Sequence, residues 1–122
     1  MILVDTSVWI GHFRHTEPRL VVALEQEEVL VHPFVKGELA CGNLHNRREI
    51  LHHLGHLPQA PSVTDDEVLS FIESRSLKGR GIGYLDVHLL ASTSIHGTAR
   101  LWTLDQRLAK VAGRLGLLHE PR

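Results

Sequence analysis

The chain has 122 residues, of which 43% are hydrophobic and 22% are charged, as is usual for a globular domain in water. Its formal net charge of -1 argues against broad, nonspecific binding to nucleic acid, which requires a strongly basic domain. One cysteine excludes a disulfide framework, and no apolar run reaches the length of a membrane span or resembles a signal peptide. We therefore expect a single domain, residues 1–122, of a cytoplasmic protein without membrane contact.

The first half of the chain predicts strands that alternate with helices. Residues 1–4 form an apolar run typical of a buried parallel strand, and the run ends in Asp5. Asp5 can cap the helix that follows, and Pro18 suits the first turn of a second helix. Residues 29–31 predict a second strand, and Pro33 opens a third helix.

The second half repeats this alternation. The remaining predicted elements are a helix over residues 47–56, a connection over 57–61, a helix that starts with the capping box Thr64 to Glu67, a glycine-rich loop over 78–83, a helix over 85–96, a strand over 100–103, a helix over 105–115 and a final edge strand at 117–118. The alternation predicts a three-layer α/β/α fold with a mainly parallel central sheet.

The sequence positions of four acids are not those expected of solvated surface charges. These acids are Asp5, Glu38, Asp86 and Asp105. Asp5 and Asp105 follow predicted strands, and open α/β sheets bind ligands beyond the carboxyl ends of their strands. Glu38 lies within a helix, with Gly42 one turn later leaving room beside its carboxylate. Asp86 precedes leucines at i+3 and i+4, so it faces the apolar side of its helix.

Helix capping is the competing explanation for three of these acids. Asp5, Asp86 and Asp105 each stand near a helix start, where aspartate is a preferred cap, but Glu38 does not. Several carboxylates that share a pocket repel one another. A divalent cation such as Mg²⁺ or Mn²⁺, which prefers hard oxygen ligands, is therefore the best candidate to compensate them.

Four segments together resemble a PIN-domain ribonuclease, and specifically the VapC-type toxin of bacterial and archaeal toxin–antitoxin pairs. The segments are residues 2–9, Pro33 with Glu38-Leu39 and Gly42, the stretch from Gly81 to Gly97, and residues 101–105. The first segment alone also suits haloacid-dehalogenase-like phosphatases, but these normally carry a second Asp where this chain has Ser7.

The resemblance implies a sheet flanked by helices, endonucleolytic cleavage of RNA, a homodimer and a small antitoxin partner. It implies that Mg²⁺ or Mn²⁺ is held by Asp5, Glu38, Asp86 and Asp105. As our own hypothesis, Asp5 and Asp86 contact the metal directly, and Glu38 and Asp105 bind it directly or through water. Supporting hydroxyl positions fall on Thr6 or Ser7 and on Thr103. Arg107 replaces a further acid or Asn that many relatives carry, which favours one firmly bound ion.

RNA needs positive charge near such an acidic pocket. Lys78 and Arg80 precede Asp86 on the glycine-rich loop and are the best candidates to bind phosphates, and Arg107 is a third. Arg47 and Arg48 are candidates for another edge of the site. The competing and generally more common explanation for each of these five cations is an ordinary solvated charge.

Two other functions stay open. A metal-dependent phosphatase of another α/β fold would use Asp5 as a nucleophile, and a catalytically silent PIN-like module would act by binding RNA or protein. His52 and His56 have i, i+4 spacing, but the Glu of a H-E-x-x-H motif and a third ligand are missing, so a polar helix face is preferred. His88 is a weaker candidate for RNA contact, and Cys41 is expected in the core.

Overall fold

A computed structural model describes residues 1–122 and has a parallel sheet of three strands in the order β2-β1-β3. The strands are β1 (Ile2–Val4), β2 (Val29–Leu30) and β3 (Arg100–Trp102). In the central strand, Leu3 lies opposite Leu30 on one side and Leu101 on the other. Every residue of β1 is buried, as expected for a parallel strand covered on both faces.

Single parallel bridges extend the sheet at both edges. Val31 pairs with Gln59, and Leu101 pairs with Leu118. The final edge strand predicted at residues 117–118 is therefore reduced to one bridge, because the chain leaves the sheet at once.

Seven helices flank this sheet. They are α1 (Thr6–Arg14), α2 (Pro18–Glu25), α3 (Pro33–Cys41), α4 (Arg47–His56), α5 (Asp65–Ser74), α6 (Tyr84–His96) and α7 (Gln106–Arg114). The sequence signals for helix starts are confirmed: the Asp5 side chain caps α1, Thr64 and Glu67 form a capping box on α5, and the Asp105 side chain caps α7. The predicted three-layer α/β/α fold is confirmed.

The core is one cluster of 27 buried hydrophobic residues, which includes Trp9 and Trp102 as predicted. Cys41, in contrast, is exposed, so its predicted place in the core is wrong. It is the last residue of α3, whose buried side is formed by Val35 and Leu39, and a residue two positions after Leu39 faces away from that side. None of the helices has the length and apolar character needed to cross a membrane.

Candidate active site

The carboxyl edge of the sheet brings distant parts of the chain together. Val4 is paired with Trp102, and the register continues beyond the strands, because the Asp5 amide donates to the Trp102 carbonyl at 2.9 Å. Parallel strands end at the same edge, so Asp5 and Thr103 emerge side by side although 98 residues separate them.

A network of hydroxyl groups holds the Asp5 carboxylate, which is only 8% exposed. Its Oδ2 accepts from the Thr103 hydroxyl at 2.7 Å and from the Ser7 hydroxyl at 2.9 Å, and its Oδ1 accepts from the Thr6 amide at 2.8 Å. A buried polar group is costly unless it is hydrogen-bonded, and these donors satisfy both oxygens of the Asp5 side chain. The expected supporting positions Thr6, Ser7 and Thr103 therefore all lie beside Asp5.

Glu38 reaches this cluster from α3. The Thr6 hydroxyl donates to Glu38 Oε1 at 2.8 Å, which fixes the direction of an otherwise exposed side chain. Sequence reasoning placed Thr6 in the site but did not anticipate this contact, because it joins residues 32 positions apart. The other carboxylate oxygen, Oε2, accepts no hydrogen bond within the chain.

Asp86 approaches from the first turn of α6. Its Oδ2 accepts from the Gly83 amide at 3.1 Å, and the side chain is half-buried. Burial raises the pKa of Asp86, and the negative charges of Asp5, Asp105 and Glu38 raise it further, while the bond from Gly83 opposes the shift. The repulsion felt by Asp86 therefore connects all four acids in one electrostatic site.

Asp105 enters the site as the cap of α7. Its Oδ1 accepts from the amides of Arg107 at 2.9 Å and Leu108 at 3.1 Å. Its own amide donates to the Thr103 hydroxyl at 3.0 Å, so Thr103 positions Asp5 and Asp105 together. Asp105 can therefore cap α7 with Oδ1 and still contribute to the site with Oδ2, because Oδ2 accepts no hydrogen bond.

The four carboxylates are neighbours but do not form a closed ligand set. No group of three or more His, Cys, Asp or Glu side chains has an arrangement that holds a metal ion. The donor chemistry nevertheless fits a hard divalent cation, because the site offers carboxylate oxygens, three of them without hydrogen bonds, and no sulfur or imidazole ligand.

The two flanks of the acids differ in chemistry. On the α3 side, Glu38 borders a pocket of about 500 Å³ whose other walls are mostly apolar or small: Pro33, Phe34, Gly37, Cys41 and Leu85. On the α7 side, beyond Asp105, lies a groove of about 320 Å³ lined by cations. A polyanion would therefore meet positive charge on the α7 side and no positive charge on the α3 side.

The predicted phosphate-binding cations are divided by the structure. Arg80 and Arg107 line the cationic groove, and Lys78 does not. The Arg47 guanidinium donates to the Ala40 carbonyl at 2.8 Å, so it caps the end of α3, while Arg48 is exposed on α4. Lys110 and Arg114 also line the groove and were missed, although their i+3 and i+7 spacing from Arg107 marks one helix face.

The histidines stand apart from the carboxylates. His88 is only 3% exposed and contacts Asp65 Oδ1 at 3.2 Å, which makes the suggested RNA contact wrong. The sequence signal for the burial of His88 was its position within an apolar run of α6. Asp65 also accepts from the Tyr84 hydroxyl at 2.6 Å. His56 Nδ1 lies 2.9 Å from the His52 carbonyl, as expected for a polar helix face.

A parallel sheet between helices, with acids from several elements at its carboxyl edge, is the arrangement in which open α/β folds bind their ligands. Comparison with known proteins identifies the family. The family model described as PIN domain matches residues 2–114. The chain therefore belongs to the PIN domain family, and the resemblance noted in the sequence is confirmed.

Individual relatives give the same result. The chain is 48% identical over 117 residues to Ribonuclease VapC32 from two strains of Mycobacterium tuberculosis, with 96% of this chain and 94% of the relative covered. The crystal structure of FitAcB from Neisseria gonorrhoeae matches with a TM-score of 0.57 and 19% identity, covering 93% of this chain and 94% of that chain. At that identity the structural match shows the fold alone.

Proposed function

We propose that this protein is a Mg²⁺- or Mn²⁺-dependent endoribonuclease and the toxin of a toxin–antitoxin pair. The observation that carries the proposal is the convergence of acids at the carboxyl edge of the sheet, where Thr6 links Asp5 to Glu38 and Thr103 links Asp5 to Asp105. The raised pKa of Asp86, to which these three acids contribute, agrees with its place beside them. Ligands of open α/β folds bind at this edge. The similarity to Ribonuclease VapC32 supports RNA as the substrate.

Asp5, Glu38, Asp86 and Asp105 would hold the metal ion, with Asp5 and Asp86 in direct contact. A divalent cation supplies Lewis-acid polarisation of the scissile phosphate and positive charge for the attack by water. Since Arg107 stands where a further acid would extend the site, we assign one firmly held ion.

The chain's own residues position these ligands. Ser7 and Thr103 fix the orientation of the Asp5 side chain through their hydroxyl groups. Thr6 directs Glu38 toward Asp5, and the first amides of α7 hold Asp105. Such preorganisation lowers the cost of arranging the site when substrate binds.

The phosphatase alternative is less well supported. Such phosphatases normally carry a second Asp two residues after the first, whereas this chain has Ser7 there, whose hydroxyl donates to Asp5 at 2.9 Å. The silent binding module is also disfavoured, because all four acids are present and coupled. Detection of an aspartyl-phosphate on Asp5 would instead support the phosphatase alternative.

The direct test is cleavage of single-stranded RNA by the purified protein in Mg²⁺ or Mn²⁺. We expect internal cleavage that stops with a chelator and falls by at least about 100-fold in D86N, a loss of about 2.7 kcal/mol of transition-state stabilisation. R14Q, which changes an exposed charge at the far end of α1, is the control. Undiminished cleavage by D86N, or cleavage that persists in chelator, would contradict the assignment.

The remaining parts of the proposal concern the assembly. We propose that residues 1–122 form one PIN domain, that two copies form a homodimer, and that a small antitoxin neutralises the enzyme in the cytoplasm, where its RNA substrate lies. Co-expression tests the partner: a short protein encoded beside this gene should co-purify with the chain and abolish cleavage.

A further inference from the structure

The groove on the α7 side of the carboxylates is basic throughout. Its walls are formed by four cations with one small and one apolar residue: Arg80, Arg107, Lys110, Arg114, Gly79 and Val111. The chain has 13 Lys and Arg residues and a formal net charge of -1. Four of these cations thus converge on one groove, while the rest of the chain has nine Lys and Arg residues against 14 Asp and Glu residues.

None of the four cations is neutralised by an acid. The ion pairs in the structure are Arg19 with Glu17 and His88 with Asp65, and both lie outside the groove. The Arg80 Nε donates only to the backbone carbonyl of Ser76, at 3.2 Å. Like charges around one groove repel each other, so an anion that enters it gains from all four.

Arg107 connects the groove to the carboxylates. Its amide donates to Asp105 at 2.9 Å, and its side chain crosses Gly81 so closely that a Cβ there would lie 3.2 Å from Arg107 Cδ. Gly81 belongs to the same loop as Gly83, whose amide holds Asp86. Arg107 thus lines the groove with its side chain and contacts Asp105 with its backbone, so the groove wall adjoins the start of α7.

We propose that this groove binds the phosphate backbone of single-stranded RNA and leads the strand to the carboxylates; this rests on the proposed function. Arg107, Lys110 and Arg114 lie on one face of α7 and span about 10 Å along its axis. Three cations spread over that length can contact successive phosphates of one nucleic-acid strand. The pocket on the α3 side has no cation in its wall, so the backbone follows the α7 side.

The test measures the salt dependence of RNA binding with a short fluorescein-labelled single-stranded RNA. All variants carry D86N, so that the RNA stays intact. K110Q/R114Q removes two phosphate contacts and should reduce the slope of log affinity against log salt by about 1.4. Because the two lines converge near 1 M salt, this difference equals about 25-fold weaker binding at 0.1 M.

Two further variants make the result specific. R14Q/R100Q removes the same charge from the far end of α1 and the opposite end of β3, and its slope should stay unchanged. K110R/R114K keeps the charge and should bind as the parent does. An unchanged slope in K110Q/R114Q, or an equal decrease of the slope in R14Q/R100Q, would overturn the proposal. In the first case, an acidic protein surface would be the alternative ligand for the groove.

Cleavage measurements separate this proposal from the proposed function. Without D86N, K110Q/R114Q should raise KM for a long RNA strand and leave kcat unchanged, since the carboxylates are intact. If the protein cleaves no RNA but the salt slope changes in K110Q/R114Q, the groove proposal is supported and the nuclease assignment is contradicted. If wild type and K110Q/R114Q cleave RNA with the same KM, the nuclease assignment is supported and the groove proposal is contradicted.

Discussion

Two aspartates of the same site have opposite environments. Asp5 is buried but receives hydrogen bonds from three donors, whereas Asp86 receives one and has a raised pKa because of burial and its acidic neighbours. The first carboxylate is stabilised by its surroundings and the second is not. Asp86 is therefore the residue where a bound cation relieves the most repulsion.

Replacing each aspartate with asparagine should change stability in opposite directions. D5N leaves hydroxyl donors without a partner and should lower the free energy of unfolding by about 1–3 kcal/mol. D86N keeps an oxygen for the Gly83 amide and removes a repelled charge, so it should raise stability slightly, by less than about 1 kcal/mol. Urea denaturation in metal-free buffer measures both, and a destabilised D86N would contradict the electrostatic description.

Thr103 links two ligands through one hydroxyl group. T103V removes the donor to Asp5 and the acceptor for the Asp105 amide, so it should lower the free energy of unfolding by about 1–3 kcal/mol and weaken divalent-cation binding. T103S retains the hydroxyl and should restore cation affinity. Calorimetric titration of both variants decides this, and equal affinity in T103V and wild type would exclude a positioning role.

At the scale of elements, α3 begins on a buried histidine. His32 is 3% exposed, and its Nδ1 accepts from the Phe34 amide at 3.0 Å, so the neutral imidazole caps the helix that carries Glu38. Burial lowers the pKa of His32 from 6.5 to about 4, and nearby His88 contributes to the shift. The helix start therefore requires an unprotonated ring.

This requirement makes stability depend on pH. Between pH 6.5 and about 4 the unfolded chain binds a proton at His32 that the folded protein does not, so stability falls as the pH decreases through this window, on the order of 2–3 kcal/mol in total. H32N keeps a good cap and cannot titrate. Its unfolding free energy should vary less with pH than that of the wild type. Identical pH profiles would contradict the assignment.

Elements with local chemical signals could be predicted from the sequence. Asp5, Thr64 and Asp105 mark helix starts because capping depends on a few neighbouring residues. The strand at residues 117–118 was overestimated, because pairing depends on the partner Leu101 and not on local pattern. Likewise, Cys41 looked like a core residue until the orientation of α3 was known.

At the scale of the whole molecule, the parallel sheet assembles the site. Asp5 and Asp105 were predictable from their places after strands, since strand ends share one edge. The contact from Thr6 to Glu38 and the convergence of Arg80 with Arg114 were not, because they depend on how α3, α7 and the glycine-rich loop pack. Sequence pattern thus identified the ligands better than their supports.

Assembly provides a prediction at this scale. If the protein forms the proposed homodimer, light scattering after size-exclusion chromatography should give about twice the chain mass of 13.7 kDa. The mass should stay constant on moderate dilution, since stable dimers bury a large interface. A mass of one chain at micromolar concentration would contradict the dimer without affecting the site.

The central claim is that four carboxylates hold one divalent cation, and calorimetric titration with Mn²⁺ tests it most directly. Wild type should bind one ion per chain, and D86N should bind it at least about tenfold more weakly, a difference of about 1.4 kcal/mol, while R14Q binds like wild type. Equal affinity in wild type and D86N, or no binding by wild type, would contradict the account.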